Sequence, residues 1–128
     1  MITHHQTRHI WGDLINKSEE HDIQSQIMID VSKHHCHIFR TNTGTVEMKR
    51  GGYFRAGPPS GFPDLTGFKD DNGKVFFIEV KKRTGRARDD QIQFHYMLTN
   101  HGIIHGIARS PEDALKIIDE ELVGYGFK

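Results

Sequence analysis

Apolar residues recur every four positions near the start of the chain, where Ile23, Ile27 and Val31 form one stripe in "NKSEEHDIQSQIMIDVSKHH". A four-residue repeat places side chains on one face of a helix. Ser18 suits the N-cap of this helix, and the two glutamates after it suit the positive first turn. The pattern therefore predicts a first helix that begins near residue 18.

Two further helices are predicted in the second half. "RDDQIQFHYMLTNHG", residues 88–102, indicates a helix closed by Gly102, with Gln91, Phe94 and Leu98 on one face. "SPEDALKIIDEEL" indicates another, with Ser110 as N-cap and proline at its first position. Its apolar stripe comprises Ala114, Leu115, Ile118 and Leu122.

Strand patterns alternate with these helices, which predicts an α/β fold. Short strands are indicated at 36–41, 45–49 and 103–109, and two longer ones at 64–71 and 74–82. Asn72-Gly73 between the longer runs predicts a tight hairpin, because a type I′ turn requires positive φ at both central residues.

The stretch "RGGYFRAGPPSGFP", residues 50–63, is half glycine and proline, so irregular structure is expected. A loop of this length inside a compact domain is usually functional or mobile, and a plain connector is the alternative. Tyr53, Phe54 and Arg55 could pack this loop down or contact a substrate.

The predicted hairpin brings charged side chains together where a buried strand ends. With a two-residue turn, Asp64 pairs with Lys81 and Thr66 pairs with Glu79. Alternation then places Asp64, Glu79 and Lys81 on one face, while Phe76, Ile78 and Val80 point into the core. Asp64 and Glu79 become diagonal neighbours, about 7 Å apart.

Two carboxylates at this separation can share a divalent cation, and without one they repel each other. A lysine beside them can position or deprotonate a water that attacks a phosphate, which is the chemistry of phosphodiester hydrolysis. The alternative is a half-exposed ion pair between Glu79 and Lys81 that contributes under about 1 kcal/mol. A single bulge would also move Asp64 to the other face.

Composition narrows the possible classes of protein. The chain has 128 residues, the size of one domain, and its formal net charge is zero. No apolar run suggests a membrane span or a secretory leader, and Cys36 is the only cysteine, so a cytoplasmic location is expected. Basic residues cluster locally, either as solvated surface or as a nucleic-acid contact. The main cluster is Lys81, Lys82, Arg83, Arg86 and Arg88.

The cluster "HHCH", residues 34–37, is not expected to bind structural zinc. Neighbouring residues cannot all point at one tetrahedral ion, and the chain has no paired cysteines. Cys36 and Ile38 are expected to face the core instead.

Pro63-Asp64 followed by Glu79-Val80-Lys81 resembles the signature of PD-(D/E)XK nucleases. The segments "EEHDIQSQI", "SGFPDLTGF", "FFIEVKKRTGRARDDQIQF" and "HGIIHGIARSPEDAL" together resemble the VRR-NUC branch, in its small stand-alone form of bacteria and phages. The resemblance covers residues 18–122, nearly all of one domain, and leaves residues 1–17 as an extension outside it. It implies a mixed central sheet flanked by helices.

The resemblance also implies roles for individual residues. Asp64 and Glu79 would bind Mg²⁺ or Mn²⁺ together with the Val80 carbonyl, and Lys81 would position the nucleophilic water. Glu20 would reach the metal through water, and a role in the helix dipole is its alternative. Gln91 would support Lys81 or the substrate, or would be a surface residue. The residues expected to contact DNA are Tyr53, Arg55, Lys82, Arg83, Arg86 and Arg88.

Stand-alone members of the family resemble homodimers that cut four-way DNA junctions, so a Holliday junction resolvase is expected here. The alternatives are a flap or duplex endonuclease and a catalytically silent DNA-binding module. The dimer patch is expected to use apolar residues that the core does not need, although these could also pack within the chain. They are Ile10, Trp11, Leu14 and the segment 122–127.

Overall fold

The structure is a computed structural model that describes residues 19–41 and 44–127, and for residues 44–47 and 54–56 it describes the backbone alone. Residues 19–32 are helical and are named α1. The elements that follow are β1 (Cys36–Arg40), β2 (Gly44–Glu47), β3 (Tyr53–Ala56), β4 (Leu65–Lys69), β5 (Val75–Val80), α2 (Asp89–Asn100), β6 (Ile104–Ala108), α3 (Pro111–Asp119) and β7 (Val123–Tyr125). The α/β prediction is confirmed. Ser18, Ile10, Trp11 and Leu14 lie outside the described residues.

Five strands form one mixed sheet in the order β1-β4-β5-β6-β7. Strand β4 is antiparallel to both of its neighbours, β1 and β5, whereas β5, β6 and β7 are parallel. Parallel neighbours need a crossover connection, and α2 and α3 supply the two crossovers. The carboxyl ends of β5 and β6 therefore meet at one edge, where open α/β sheets bind ligands.

The apolar core lies on one face of the sheet. Ile27 and Val31 of α1 are fully buried there, as the first stripe predicted. Strand β5 contributes Phe76, Ile78 and Val80, also as predicted. Helix α3 contributes Ala114, Ile118 and Ile117, and the last of these was absent from the predicted stripe. Cys36 and Ile38 are buried, as expected.

Helix α2 covers the opposite face through polar contacts. Gln91 hydrogen-bonds to Glu79 of β5, and His95 Nδ1 lies 2.8 Å from His105 Nε2 of β6. Burial lowers the pKa of both histidines, and for His95 the neighbouring His105 adds to this. Two neutral imidazoles can share one hydrogen bond, because each then carries one donor and one acceptor. Leu98 completes the buried stripe of α2.

The predicted irregular stretch 50–63 contains a strand, so that prediction was wrong. Strand β3 pairs antiparallel with β2, from Gly44↔Ala56 to Glu47↔Tyr53, in a sheet of its own. The turn between these strands uses Gly51 and Gly52, both at positive φ. Residues 57–63 are irregular, as predicted for the whole stretch.

The predicted Asn-Gly turn was also wrong. The β4–β5 loop has four residues, because the Lys69 N–H donates to the Lys74 carbonyl at 3.0 Å across its base. Gly73 has positive φ, whereas Asn72 is not among the described positive-φ residues. The Asn72 side chain instead accepts from the Lys74 N–H and donates to Glu121 Oε2.

The segment proposed for a dimer patch, residues 122–127, is partly used within the chain. Strand β7 pairs with β6 at the edge of the main sheet. The Phe127 ring stacks on His95 with ring centroids 4.0 Å apart. This segment therefore completes the sheet and covers the histidine pair, which leaves less apolar surface for a partner.

The histidines of the 34–37 cluster point to separate partners. His34 Nε2 lies 3.0 Å from Asp119, and His37 Nε2 lies 3.0 Å from Asp70.

Among the helices in the described ranges, none combines the length and the apolar character needed to cross a membrane.

Candidate active site

The two proposed acidic ligands meet at the edge where β4 begins and β5 ends. The register pairs Leu65 with Ile78 and Thr66 with Phe77, so one further step sets Asp64 opposite Glu79. The predicted register, which paired Thr66 with Glu79, was wrong by two residues. A shift of two keeps every side chain on its face, because the strand repeat is two. The carboxylates therefore remain neighbours and are directly opposed.

Asp64 is held by backbone contacts on both sides. Its Oδ2 accepts a hydrogen bond of 2.9 Å from the Val80 N–H. Its carbonyl accepts from the Thr41 N–H and from Thr41 Oγ1, both at 2.9 Å, and the same hydroxyl contacts the Pro63 carbonyl. Thr41 directly follows β1, so the edge strand fixes the start of β4.

The segment that leads into Asp64 is fastened to the start of α2. Gly61 has φ +88°, and a Cβ there would lie 2.4 Å from the Asp90 carbonyl oxygen. Only glycine fits that position. The Ser60 hydroxyl donates to the Asp90 carboxylate, and Phe62 packs edge-on against Phe77 and Phe94.

Glu79 is almost completely buried, with 2% of its surface exposed. Burial raises its pKa most, and the hydrogen bond and negative charge of Asp64 raise it further, to about 10. The charge of Lys81 acts in the opposite direction and does not compensate. Without a cation Glu79 therefore keeps its proton at neutral pH.

Lys81 directly follows β5 and is 6% exposed. Its N–H donates to the Ala108 carbonyl at 3.2 Å, which ties the ends of β5 and β6 together. A lysine is rarely buried unless something requires its charge there. Glu79 and Lys81 are therefore not the half-exposed ion pair of the alternative interpretation.

Gln91 is buried and contacts Glu79. Its Nε2 donates to Glu79 Oε1 at 3.0 Å, and its Oε1 accepts from the Arg88 N–H at 2.8 Å. Gln91 therefore contacts Glu79, which neither expected role named, and its support of Lys81 or of the substrate stays a prediction. Gln91 is also not the surface residue of the alternative interpretation.

Glu20 reaches the same edge from α1. Its Oε1 lies 3.5 Å from the Lys82 N–H, and Gly85 leaves room for it, since a Cβ there would lie 3.3 Å from Oε1. The side chain therefore lies at the turn that follows Lys81, and its expected contact with a metal through water stays a prediction.

The basic residues predicted to bind DNA follow this edge. Arg83, Arg86 and Arg88 are exposed, and Lys82 is half-buried. Arg88 also pairs with Asp90 at 3.2 Å. Tyr53 is 73% exposed, and the side chain of Arg55 lies outside the described part.

The oxygen atoms of Asp64, Glu79 and the Val80 carbonyl fit one cation that has few protein ligands. In the described ranges, no group of three or more His, Cys, Asp or Glu side chains is arranged to hold a metal. Two opposed carboxylates are present, so a hard cation would complete its shell with the Val80 carbonyl and water. A buried Glu79 that keeps its proton when no cation is bound, directly opposite Asp64, is the observation that favours a cation here.

Comparison with protein families agrees with this geometry. A model of the VRR-NUC domain matches residues 13–112, about three quarters of the chain. The chain belongs to the VRR-NUC family. Its fold is of the PD-(D/E)XK nuclease type, and nucleases of that type generally use divalent metal ions. The match begins five residues before the predicted start at 18 and ends ten residues before the predicted end at 122.

Membership in the VRR-NUC family identifies the domain as a nuclease with DNA as its substrate. No functionally curated protein matches the sequence. The sequence patterns did not single out Thr41 and Arg109, which lie near the site. For Arg109, the pattern that could have indicated a role is a basic residue between the end of a strand and the helix N-cap Ser110.

Proposed function

We propose that this VRR-NUC chain is a divalent-metal-dependent endodeoxyribonuclease that hydrolyses phosphodiester bonds in branched DNA. The observation that carries the proposal is the opposition of Asp64 and Glu79, with Glu79 buried and Lys81 at the same strand end. A buried carboxylate that faces a second carboxylate costs stability unless a cation or a proton occupies the site. A silent DNA-binding module has no need for such a pair.

The residues have complementary roles in this proposal. Asp64, Glu79 and the Val80 carbonyl hold Mg²⁺ or Mn²⁺, and Glu20 contacts it through water. When bound, the ion stabilises the negative charge that develops on the phosphate. Lys81 orients the attacking water, and Gln91 holds Glu79 in place by the hydrogen bond at 3.0 Å.

The substrate we propose is a four-way junction, cut by a homodimer. Resolution of such a junction requires two symmetric cuts, and a two-fold dimer places two identical sites at a fixed spacing. Arg83, Arg86 and Arg88 next to the site would follow the phosphate backbone of one arm, and Tyr53 in the β2–β3 hairpin would contact the same DNA.

Cleavage of labelled junction, flap and duplex DNA with Mg²⁺ and Mn²⁺ tests the function, with Asp64→Asn as the matched inactive protein. We expect paired nicks on opposite arms of the junction and poor cutting of duplex. Sedimentation should give a dimer. A monomer that prefers single flaps would replace the junction proposal by the flap alternative, and a protein that binds DNA without any metal-dependent nicking would support the silent module.

A further inference from the structure

One side chain from outside the turn after Lys81 binds several carbonyl oxygens of that turn. Arg109 Nη1 donates to the carbonyls of Lys82 and Gly85, each at 2.7 Å, and lies 3.3 Å from that of Arg83. Three carbonyl oxygens of residues 82–85 thus converge on one guanidinium nitrogen. Arg109 lies at the end of β6 and is half-buried.

Convergent carbonyls repel one another unless a donor lies between them. The Gly85 N–H closes the turn onto the Lys82 carbonyl at 3.0 Å but leaves the other two oxygens without a backbone donor in the turn. A charged N–H group forms stronger hydrogen bonds than a neutral one. The shape of this turn therefore depends on Arg109.

Arg109 is itself rigidly placed. Its N–H donates to Asp113 Oδ2 at 2.9 Å, and Asp113 is bound through its own N–H to Ser110, the N-cap of α3. The preceding residue, Ala108, accepts the Lys81 N–H. The hydrogen bonds of the guanidinium group therefore fix the turn relative to β6 and α3.

The turn carries groups that face the site. It starts immediately after Lys81, it offers the Lys82 N–H to Glu20, and Arg83 within it is exposed. We propose that Arg109 is a positioning residue that fixes the 82–85 turn, and through it sets Lys81 and Glu20 relative to Asp64 and Glu79. The inference rests on the proposed nuclease function and assigns Arg109 no contact with DNA or metal.

The test compares Arg109→Gln and Arg109→Lys with Lys116→Gln, an exposed lysine of α3 that lies outside the site. Single-turnover nicking at saturating protein should fall on the order of 10- to 100-fold in Arg109→Gln, the scale of a small misplacement of catalytic groups. Arg109→Lys should recover only part, because lysine lacks the planar fork. Lys116→Gln should nick as the wild type does.

Two further measurements separate positioning from a general loss of stability and from a DNA contact. Trypsin should cut after Lys82 and Arg83 about tenfold faster in Arg109→Gln, while its other sites are cut at wild-type rates, because the turn alone opens. DNA affinity in Ca²⁺ should change by less than about threefold, with an unchanged salt slope.

Three results would overturn the inference. Faster cutting at all trypsin sites would mean that Arg109 only stabilises the fold. A salt slope flattened by about one would make Arg109 a phosphate contact. Wild-type nicking by Arg109→Gln would remove any role in the reaction. A wild-type protein that never nicks DNA would instead refute the proposed function itself. If Arg109→Gln does not fold, Arg109→Lys provides the same three readouts.

Discussion

Gln91 Nε2 donates a hydrogen bond of 3.0 Å to Glu79 Oε1, and both side chains are buried between α2 and the sheet. This contact gives Glu79 one fixed partner besides Asp64 and leaves its remaining lone pairs for a proton or a cation. It also links the acidic pair to the helix N-terminus, because Gln91 Oε1 accepts from the Arg88 N–H.

Replacing this amide should therefore impair both stability and catalysis. Gln91→Leu removes the donor to Glu79 and leaves the Arg88 N–H unsatisfied, which costs about 1–3 kcal/mol in unfolding free energy. We expect nicking to fall at least about tenfold on the folded protein. Gln93→Leu is the matched control, since Gln93 is exposed on the same helix. Equal activity of the two variants would contradict the role of Gln91.

The buried acid predicts an unusual pH dependence of the metal-free protein. The pKa of Glu79 rises from its ordinary value of 4.5 to about 10, so between these values the folded protein binds more protons than the unfolded chain. Stability in chelator should therefore decrease as pH rises through this window. Glu79→Gln should flatten the curve in urea denaturation, and saturating Mg²⁺ should flatten it by replacing the proton. A curve that is identical in wild type and Glu79→Gln would contradict the assignment.

Lys81 should be needed for the reaction and not for binding. Lys81→Met preserves the aliphatic volume and removes the buried charge, so the fold should persist. We expect nicking to fall by on the order of 10²-fold or more, whereas DNA affinity measured in Ca²⁺ stays within about threefold. Lys116→Met controls for loss of a lysine charge. Near wild-type nicking by folded Lys81→Met would refute its catalytic role.

The exposed arginines after the site should determine the salt dependence of DNA binding. With zero net charge, binding must depend on a local patch, and the log–log slope is about −0.9 per phosphate contacted. Arg83→Ala with Arg86→Ala should flatten the slope by about two. Arg88 is left intact, because it pairs with Asp90 at the start of α2. Lys33→Ala with Lys116→Ala removes the same charge away from the site, and an equal effect of both pairs would place the DNA elsewhere.

Glu121 should stabilise the β4–β5 loop above the acidic range. It accepts from Lys74 at 2.9 Å and from Lys69 and Asn72 at 3.1 Å, which lowers its pKa to about 2. Its contribution is complete above the ordinary value of 4.5 and is lost as pH falls toward about 2. Glu121→Gln should have a lower Tm than the wild type at neutral pH. This difference in Tm should become smaller at acid pH. Glu112→Gln, in the first turn of α3, is the control.

The sequence alone determined which side chains share a face and which elements form, except for β3 and β7. The repeats of four and of two placed Ile27, Val31, Phe76 and Ile78 in the core, and the ordered segments around Asp64 and Glu79 identified the family. The core positions depend only on local periodicity and on residue types, whereas the family follows from a resemblance. The predicted register was wrong by two residues, but Asp64 and Glu79 still lie on one face because the side-chain repeat of a strand is two.

The tertiary structure decided what depends on distant partners. Glu121 draws on Lys69, Asn72 and Lys74 from about fifty residues away and so favours a four-residue loop over the local Asn-Gly preference. Packing of α2 on the sheet directed Gln91 to Glu79, and β6 carried Arg109 to the turn after Lys81. No short window of sequence contains both members of these pairs, because the burial and charge that select them arise only when the sheet has assembled.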